Sequence, residues 1–170
     1  MGINKQILKL LLAEEDYKPI NGEFLCIGKQ TVNVSQSDLE NLFINRAGYS
    51  YLKNLYDNNI FDISTRHSNN TIYDHDLLKC ISDSAHYNCL DRSDYEGANI
   101  IQDMNEIIKN DYVGKFDFIY DGGCLDNVFD PVTFLINSNK MLKPGGRIAH
   151  LNVAGSTLGA YLMLSPEWFF

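Results

Sequence analysis

The sequence predicts an α/β protein built on a doubly wound, mostly parallel sheet. Three observations predict it. Short apolar runs that read as buried strands alternate with helical patterns along the chain. Those runs end on Gly28, Asp91, Asp103 and Asp121-Gly122-Gly123, at the carboxyl ends where open parallel sheets bind ligands. The stretch from residue 117 to residue 153 has complete strand–helix–strand form, which is expected to be a right-handed crossover.

The elements follow in chain order. Residues 4 to 15 read as an amphipathic helix with Asn4 as cap, and 1–20 form an N-terminal helical segment ahead of a core spanning 22–170. Pro19 and Gly22 mark a connection. Phe24-Leu25-Cys26-Ile27 reads as a buried strand stopping at Gly28. Ser37-Asp38-Leu39-Glu40 has capping-box form and predicts a helix from Ser37, with Leu39, Leu42 and Phe43 inward. Residues 54 to 71, rich in Asn and Asp, read as a loop. Thr71 to Ile81 predicts a short helix with Leu77, Leu78 and Ile81 buried. Strands are then expected at Tyr87–Leu90, Ala98–Gln102 and Phe116–Tyr120. Asp130-Pro131 opens a helix, with Asp as cap and Pro in the first turn. Its inward face is expected to carry Val132, Leu135, Ile136 and Leu142. Lys143-Pro144-Gly145-Gly146 stops it, and Arg147 to Val153 forms the last strand.

At 170 residues the chain has the length of a single domain with a sizeable core. Its 45% apolar and 21% charged content is that of an ordinary globular protein. A net charge of −8 argues against nucleic acid as a partner. No apolar run is long enough for a membrane span, and the short Ile7–Leu12 stretch lacks a signal-peptide cleavage site. Cys26, Cys80, Cys89 and Cys124 form no Cys-x-x-Cys pair, which fits reduced cysteines and a cytoplasmic location. The apolar end Trp168-Phe169-Phe170 is expected to mark a truncated chain or a terminus docked on a partner, with a homo-oligomer as one form of that docking.

Acids and glycines at strand ends point to a nucleoside-bearing ligand. A carboxylate there accepts from a ribose diol or an adenine amine, and glycine admits close approach. The dinucleotide fingerprint is missing: Gly28-Lys29-Gln30-Thr31-Val32-Asn33 holds one glycine. Asp91 also lies far beyond the ~20 residues at which the ribose acid should follow. A Walker A pattern is absent too. These absences disfavour NAD and P-loop ATP, but not a cofactor without phosphates.

Four segments in order resemble class I S-adenosylmethionine-dependent methyltransferases. They are Leu90-Asp91-Arg92-Ser93-Asp94-Tyr95-Glu96-Gly97-Ala98, Ile100-Ile101-Gln102-Asp103-Met104-Asn105, Phe116–Asp126, and Met141-Leu142-Lys143-Pro144-Gly145-Gly146-Arg147. The resemblance covers roughly residues 22 to 170 and implies a Rossmann-like core, here without the family's last two strands. It implies that Gly28, Lys29 and Gln30 lie beside the methionine part of S-adenosylmethionine. Asp91 would hold the ribose, Asp103 and Met104 the adenine, and Asp121 and Gly122 the floor below the sulfonium. The family's glycine-rich first motif is reduced to one glycine, and Asn127 stands where similar proteins carry His.

Transfer to an alcohol benefits from a base. His150 is the first candidate, Asp126 the second, and Tyr161 a candidate substrate contact. Each has a plainer reading: a satisfied core histidine, a solvated acid and a packed ring. The expected acceptor is a small polar molecule such as a sugar, a surface-polysaccharide precursor or a phosphoramidate headgroup. Two other functions compete: a non-catalytic binding or assembly module of the same fold, and a nicotinamide-dependent oxidoreductase. His75, between Asp74 and Asp76, lacks the second ligand cluster that a metal site needs.

Overall fold

The computed structural model describes residues 2–64, 70–152, 160–165 and 167. By backbone contacts the chain forms two compact units: residues 1–22 with 30–87, and residues 23–29 with 88–170.

The first unit pairs two short parallel strands, β1 (Gly2–Asn4) and β3 (Thr31–Asn33), in the register Ile3↔Val32. Helix α1 (Lys5–Tyr17) starts where Asn4 accepts from the backbone N–H groups of Gln6 and Ile7, as its cap position predicts. It buries Leu8, Leu11 and Leu12 at helical spacing and ends short of Pro19. The cap of helix α2 (Gln36–Phe43) falls two residues earlier than the capping-box expectation. Ser35, not Ser37, is the cap and accepts from the Asp38 amide at 3.2 Å. Helix α3 (Tyr49–Asp57) runs into the segment expected to be a loop. Buried Leu52 and Leu55 supply an apolar stripe that outweighs the poor helix propensity of Asn54 and Asp57. Helix α4 (Asp74–Ile81) buries Leu77, Leu78 and Ile81 as expected. It also buries Asp74 and Asp76. Asp74 accepts from the Gln30 amide at 2.7 Å, and Asp76 from the Tyr51 hydroxyl at 2.6 Å. The carboxylates thus enter the interior with partners.

The second unit is a five-stranded parallel sheet. Its strands are β2 (Gly22–Ile27), β4 (Ala85–Asp91), β5 (Ile100–Ile101), β6 (Phe116–Asp121) and β7 (Leu142–His150), in the order β5-β4-β2-β6-β7. Counting only these strands along the chain, the order is 3-2-1-4-5, which is that of Rossmann-like folds. The chain reverses its direction of winding between β2 and β6. β5 is reduced to two residues of the expected Ala98–Gln102 run. Leu25, Ile27, Leu90, Ile119, Phe134 and Met141 are among the residues of one apolar core, all 2% exposed or less.

Helix α5 (Pro131–Met141) links β6 to β7. Asp130 caps it by accepting from Thr133 N–H at 3.0 Å, with Pro131 in the first turn. Its buried face matches the expected one only in part: Leu135 and Leu142 pack against the core, partly buried. Phe134, Asn137, Ser138 and Met141 face inward, while Val132 and Ile136 are about half exposed. Asn137 explains the rotation. Its amide donates to the carbonyls of Met104 and Glu106 and accepts from Ile108 N–H, so a polar side chain belongs inside.

After α5 the chain enters β7 at once. Leu142 pairs with Phe116 and Arg147 with Phe118, so Lys143–Gly146 loop out opposite Asp117 alone. Lys143 closes the loop on the Asp117 carboxylate at 2.6 Å. Gly145 has a φ of 78°, and a Cβ on Gly146 would lie 3.0 Å from the Phe116 carbonyl. The Pro-Gly-Gly motif therefore shapes a bulge as well as ending a helix. Val153, the expected end of this strand, and the Trp168–Phe170 terminus lie outside the described residues.

Candidate functional site

A cleft of about 590 Å³ opens at the carboxyl ends of β2, β4 and β5, beside the point where the winding reverses. That is where an open α/β sheet offers a crevice, and the volume suits a small-molecule site.

Each wall comes from a strand end. β2 supplies Ile27 and Gly28. Gly28 has a φ of 75°, which a Cβ would strain, and its N–H donates to the Leu90 carbonyl at 2.7 Å. The tips of β2 and β4 are thereby tied together. β4 supplies Asp91 and Arg92, and the Asp91 carboxylate accepts from Arg92 N–H at 2.6 Å. β5 leads to Gln102, Asp103, Met104 and Asn105. Asp91, the last residue of β4 and the register partner of Ile101, and Asp103, two residues past the end of β5, line one crevice. Met104, 5% exposed, joins the cleft to the apolar core.

The opposite wall follows β6. Cys124 donates its Sγ–H to the Ile27 carbonyl at 3.1 Å, and burial pushes its thiol pKa far up. Its surroundings disfavour the thiolate. Asn127, Val128, Phe129 and Asp130 complete this side with Phe134. Phe129 and Tyr161 stack at the rim, with centroids 5.6 Å apart and ring planes 19° from parallel, although they are 86% and 71% exposed.

Electrostatics narrow the ligand. Among the described residues, the charged lining groups are Asp91, Asp103 and Asp130 against Arg92. Asp103 is held below the usual carboxylate range, first by the Asn105 backbone N–H, then by the Asn105 side-chain amide, with Arg92 adding and burial opposing. A wall carrying three carboxyl groups disfavours a pyrophosphate and favours neutral or cationic groups.

The predicted residues divide by strand. Gly28, Asp91, Asp103, Met104 and Tyr161 line this cleft. Lys29 and Gln30 do not; Gln30 is buried in the first unit, where its backbone N–H meets Asp74. Asp121 and Gly122, both buried at the end of β6, are not lining residues either. Asp121 Oδ2 lies 3.0 Å from His150 Nδ1, and its Oδ1 accepts from Cys124 N–H at 2.7 Å. His150 ends β7 directly opposite Asp121 in register. Its ring centroid is 6.3 Å from that of Phe134, one side chain behind the cleft wall. Asp126 is wholly buried and accepts from the Asn127 amide. Its carbonyl takes the N–H groups of Tyr161 and Leu162, so this residue anchors the segment that carries Tyr161. Sequence reasoning read Asn105 as part of a motif without giving it a role, and missed Phe129 and Asn137. Asn105 and Phe129 carry no periodic signal, and Asn137 falls on a helix face judged by apolar spacing alone.

No protein-family model, curated protein or solved structure matches this chain.

Proposed function

We propose that the chain is an S-adenosylmethionine-dependent methyltransferase acting on a hydroxyl of a small polar acceptor, such as a sugar or a surface-polysaccharide precursor. The carrying observation is that Asp91, ending β4, and Asp103, just past β5, line one crevice beside the winding reversal. The fit rests on three features. Two carboxylates accept from a ribose and an adenine amine, Met104 offers an apolar surface to a base, and the acidic walls tolerate a sulfonium while repelling phosphates.

When bound, S-adenosylmethionine supplies a sulfonium-activated methyl group that an acceptor oxygen takes by in-line displacement. The chain's own groups do the rest. Asp91 and Asp103 hold the nucleoside end, and Gly28 lets it approach the backbone. The strand order sets Asp121 and His150 across β2 from these acids, with β4 and β6 two strand spacings apart, about 10 Å. His150, with Nδ1 3.0 Å from the Asp121 carboxylate, is the candidate base for the acceptor's proton. Much of the rate comes from alignment of the reacting groups.

Calorimetric titration with S-adenosylhomocysteine tests the reading. Saturable binding at one site per chain, competed by S-adenosylmethionine and not by NADH, is expected. No heat of binding would leave the non-catalytic module as the better account, and a preference for NADH would favour the oxidoreductase.

A further inference from the structure

Asn105 joins two parts of the cleft that are remote in sequence. Its backbone N–H and its Nδ2 both donate to Asp103 Oδ1, at 2.9 and 2.8 Å. Its Oδ1 accepts from the backbone N–H groups of Phe129 and Asp130, both at 2.9 Å. The first pair of bonds fixes the acid after β5. The second fixes the turn that launches α5 and carries Phe129, whose ring stacks on Tyr161. Both Asn105 bonds fall on Oδ1 of Asp103, so Oδ2 takes no part in them.

We propose that Asn105 is a positioning residue that sets the Asp103 carboxylate and the Phe129–Tyr161 rim in one fixed relation, so that a ligand gripped at Asp103 meets the rings at a set distance. The identity of that ligand rests on the methyltransferase reading; the linkage itself does not. Only a primary amide does this job at this place. It donates to a carboxylate with one end and accepts from two amides with the other. Aspartate keeps the acceptor and sets a second carboxylate against Asp103. Alanine loses both ends. Besides Asn105, Arg92 faces Asp103 electrostatically, and Asp91 and Asp130 share its cleft; these groups are constant across the variants.

The test compares the wild type with Asn105→Ala and Asn105→Asp by NMR without ligand, followed by S-adenosylhomocysteine calorimetry. In Asn105→Ala the Asp103 carboxyl titrates at higher pH than in the wild type, and the Phe129 and Asp130 amides move to solvent-like shifts. In Asn105→Asp the Asp103 midpoint rises further, because two carboxylates share the site, while both amides keep their bonded shifts. Affinity falls about tenfold in Asn105→Ala, the scale of one charge-assisted bond misplaced, and its acid limb moves to higher pH. An Asp103 midpoint unmoved in both variants, or unmoved amides in Asn105→Ala, overturns the proposal. The expected NMR changes in a chain that binds no S-adenosylhomocysteine would support the linkage and refute the methyltransferase reading.

Discussion

Replacing Asn137 with Leu removes the polar group on which the 104–108 segment hangs, while keeping the branched shape and number of side-chain heavy atoms. Three bonds are lost. The donation to Glu106 O, 2.7 Å, ends at an exposed residue whose carbonyl water can reclaim, so its loss costs about 0.5–1.5 kcal/mol. The donation to Met104 O, 3.2 Å, ends inside; that carbonyl is left buried and unpaired, which costs about 1–3 kcal/mol. The bond from Ile108 N–H is long, at 3.4 Å, and contributes least. The added apolar contact of Leu offsets part of the total. A net destabilisation of about 2–4 kcal/mol is expected. Urea unfolding followed by circular dichroism measures it, with the m-value unchanged and the midpoint lowered. Asn137→Asp should cost more, since it faces two carbonyls with a buried charge. A loss below about 1 kcal/mol for Asn137→Leu would show that apolar packing, not this amide, holds the loop. The account of why α5 turns a polar residue inward would then fail.

Asp91→Ala should weaken S-adenosylhomocysteine binding by about 10–100-fold, the scale of hydrogen bonds to a charged group, with little change in midpoint of unfolding; calorimetry reads the first and urea titration the second. His150→Ala should lower the methyl-transfer rate by about 10²–10⁴-fold and leave S-adenosylhomocysteine affinity within about twofold; unchanged turnover removes it as the base. Gly145→Ala should destabilise by about 1 kcal/mol, because a Cβ is strained at positive φ although space is open there; thermal melts read the effect. Asp103 has a depressed folded-state pKa, so its contribution to stability is present above the ordinary aspartate value and disappears as pH falls through the lower folded one. In Asn105→Ala, acid unfolding followed by circular dichroism should therefore begin at higher pH than in the wild type.

Much of the sheet was legible in the sequence because its strands are buried apolar runs with sharp ends. Phe24–Ile27, Tyr87–Leu90 and Phe116–Tyr120 all fall within the observed strands. The caps Asn4 and Asp130 were legible for the same reason: capping is local chemistry. The β1–β3 pair was not, since three-residue strands are too short to show a period and their pairing is long-range. Helix α3 was masked by Asn and Asp, whose turn preference yields to the burial of Leu52 and Leu55. In the cleft, the acids that end strands could be read from position. Asn105 could not, because its partners at Phe129 and Asp130 are set only once the crossover has folded. Rotation of α5 was missed for a similar reason: loop carbonyls, invisible in a helical wheel, determine which face is inside.

The looped-out Lys143–Gly146 segment separates length from phase. Because alignment resumes at Phe118↔Arg147 and then continues without interruption to Asp121↔His150, a residue gained or lost within the loop is absorbed there and leaves the imidazole facing its carboxylate. The same deletion three residues later, inside Ile148–His150, would slip the strand by one place and turn the ring to the other side of the sheet. Variation in chain length is tolerable at this corner and ruinous just past it.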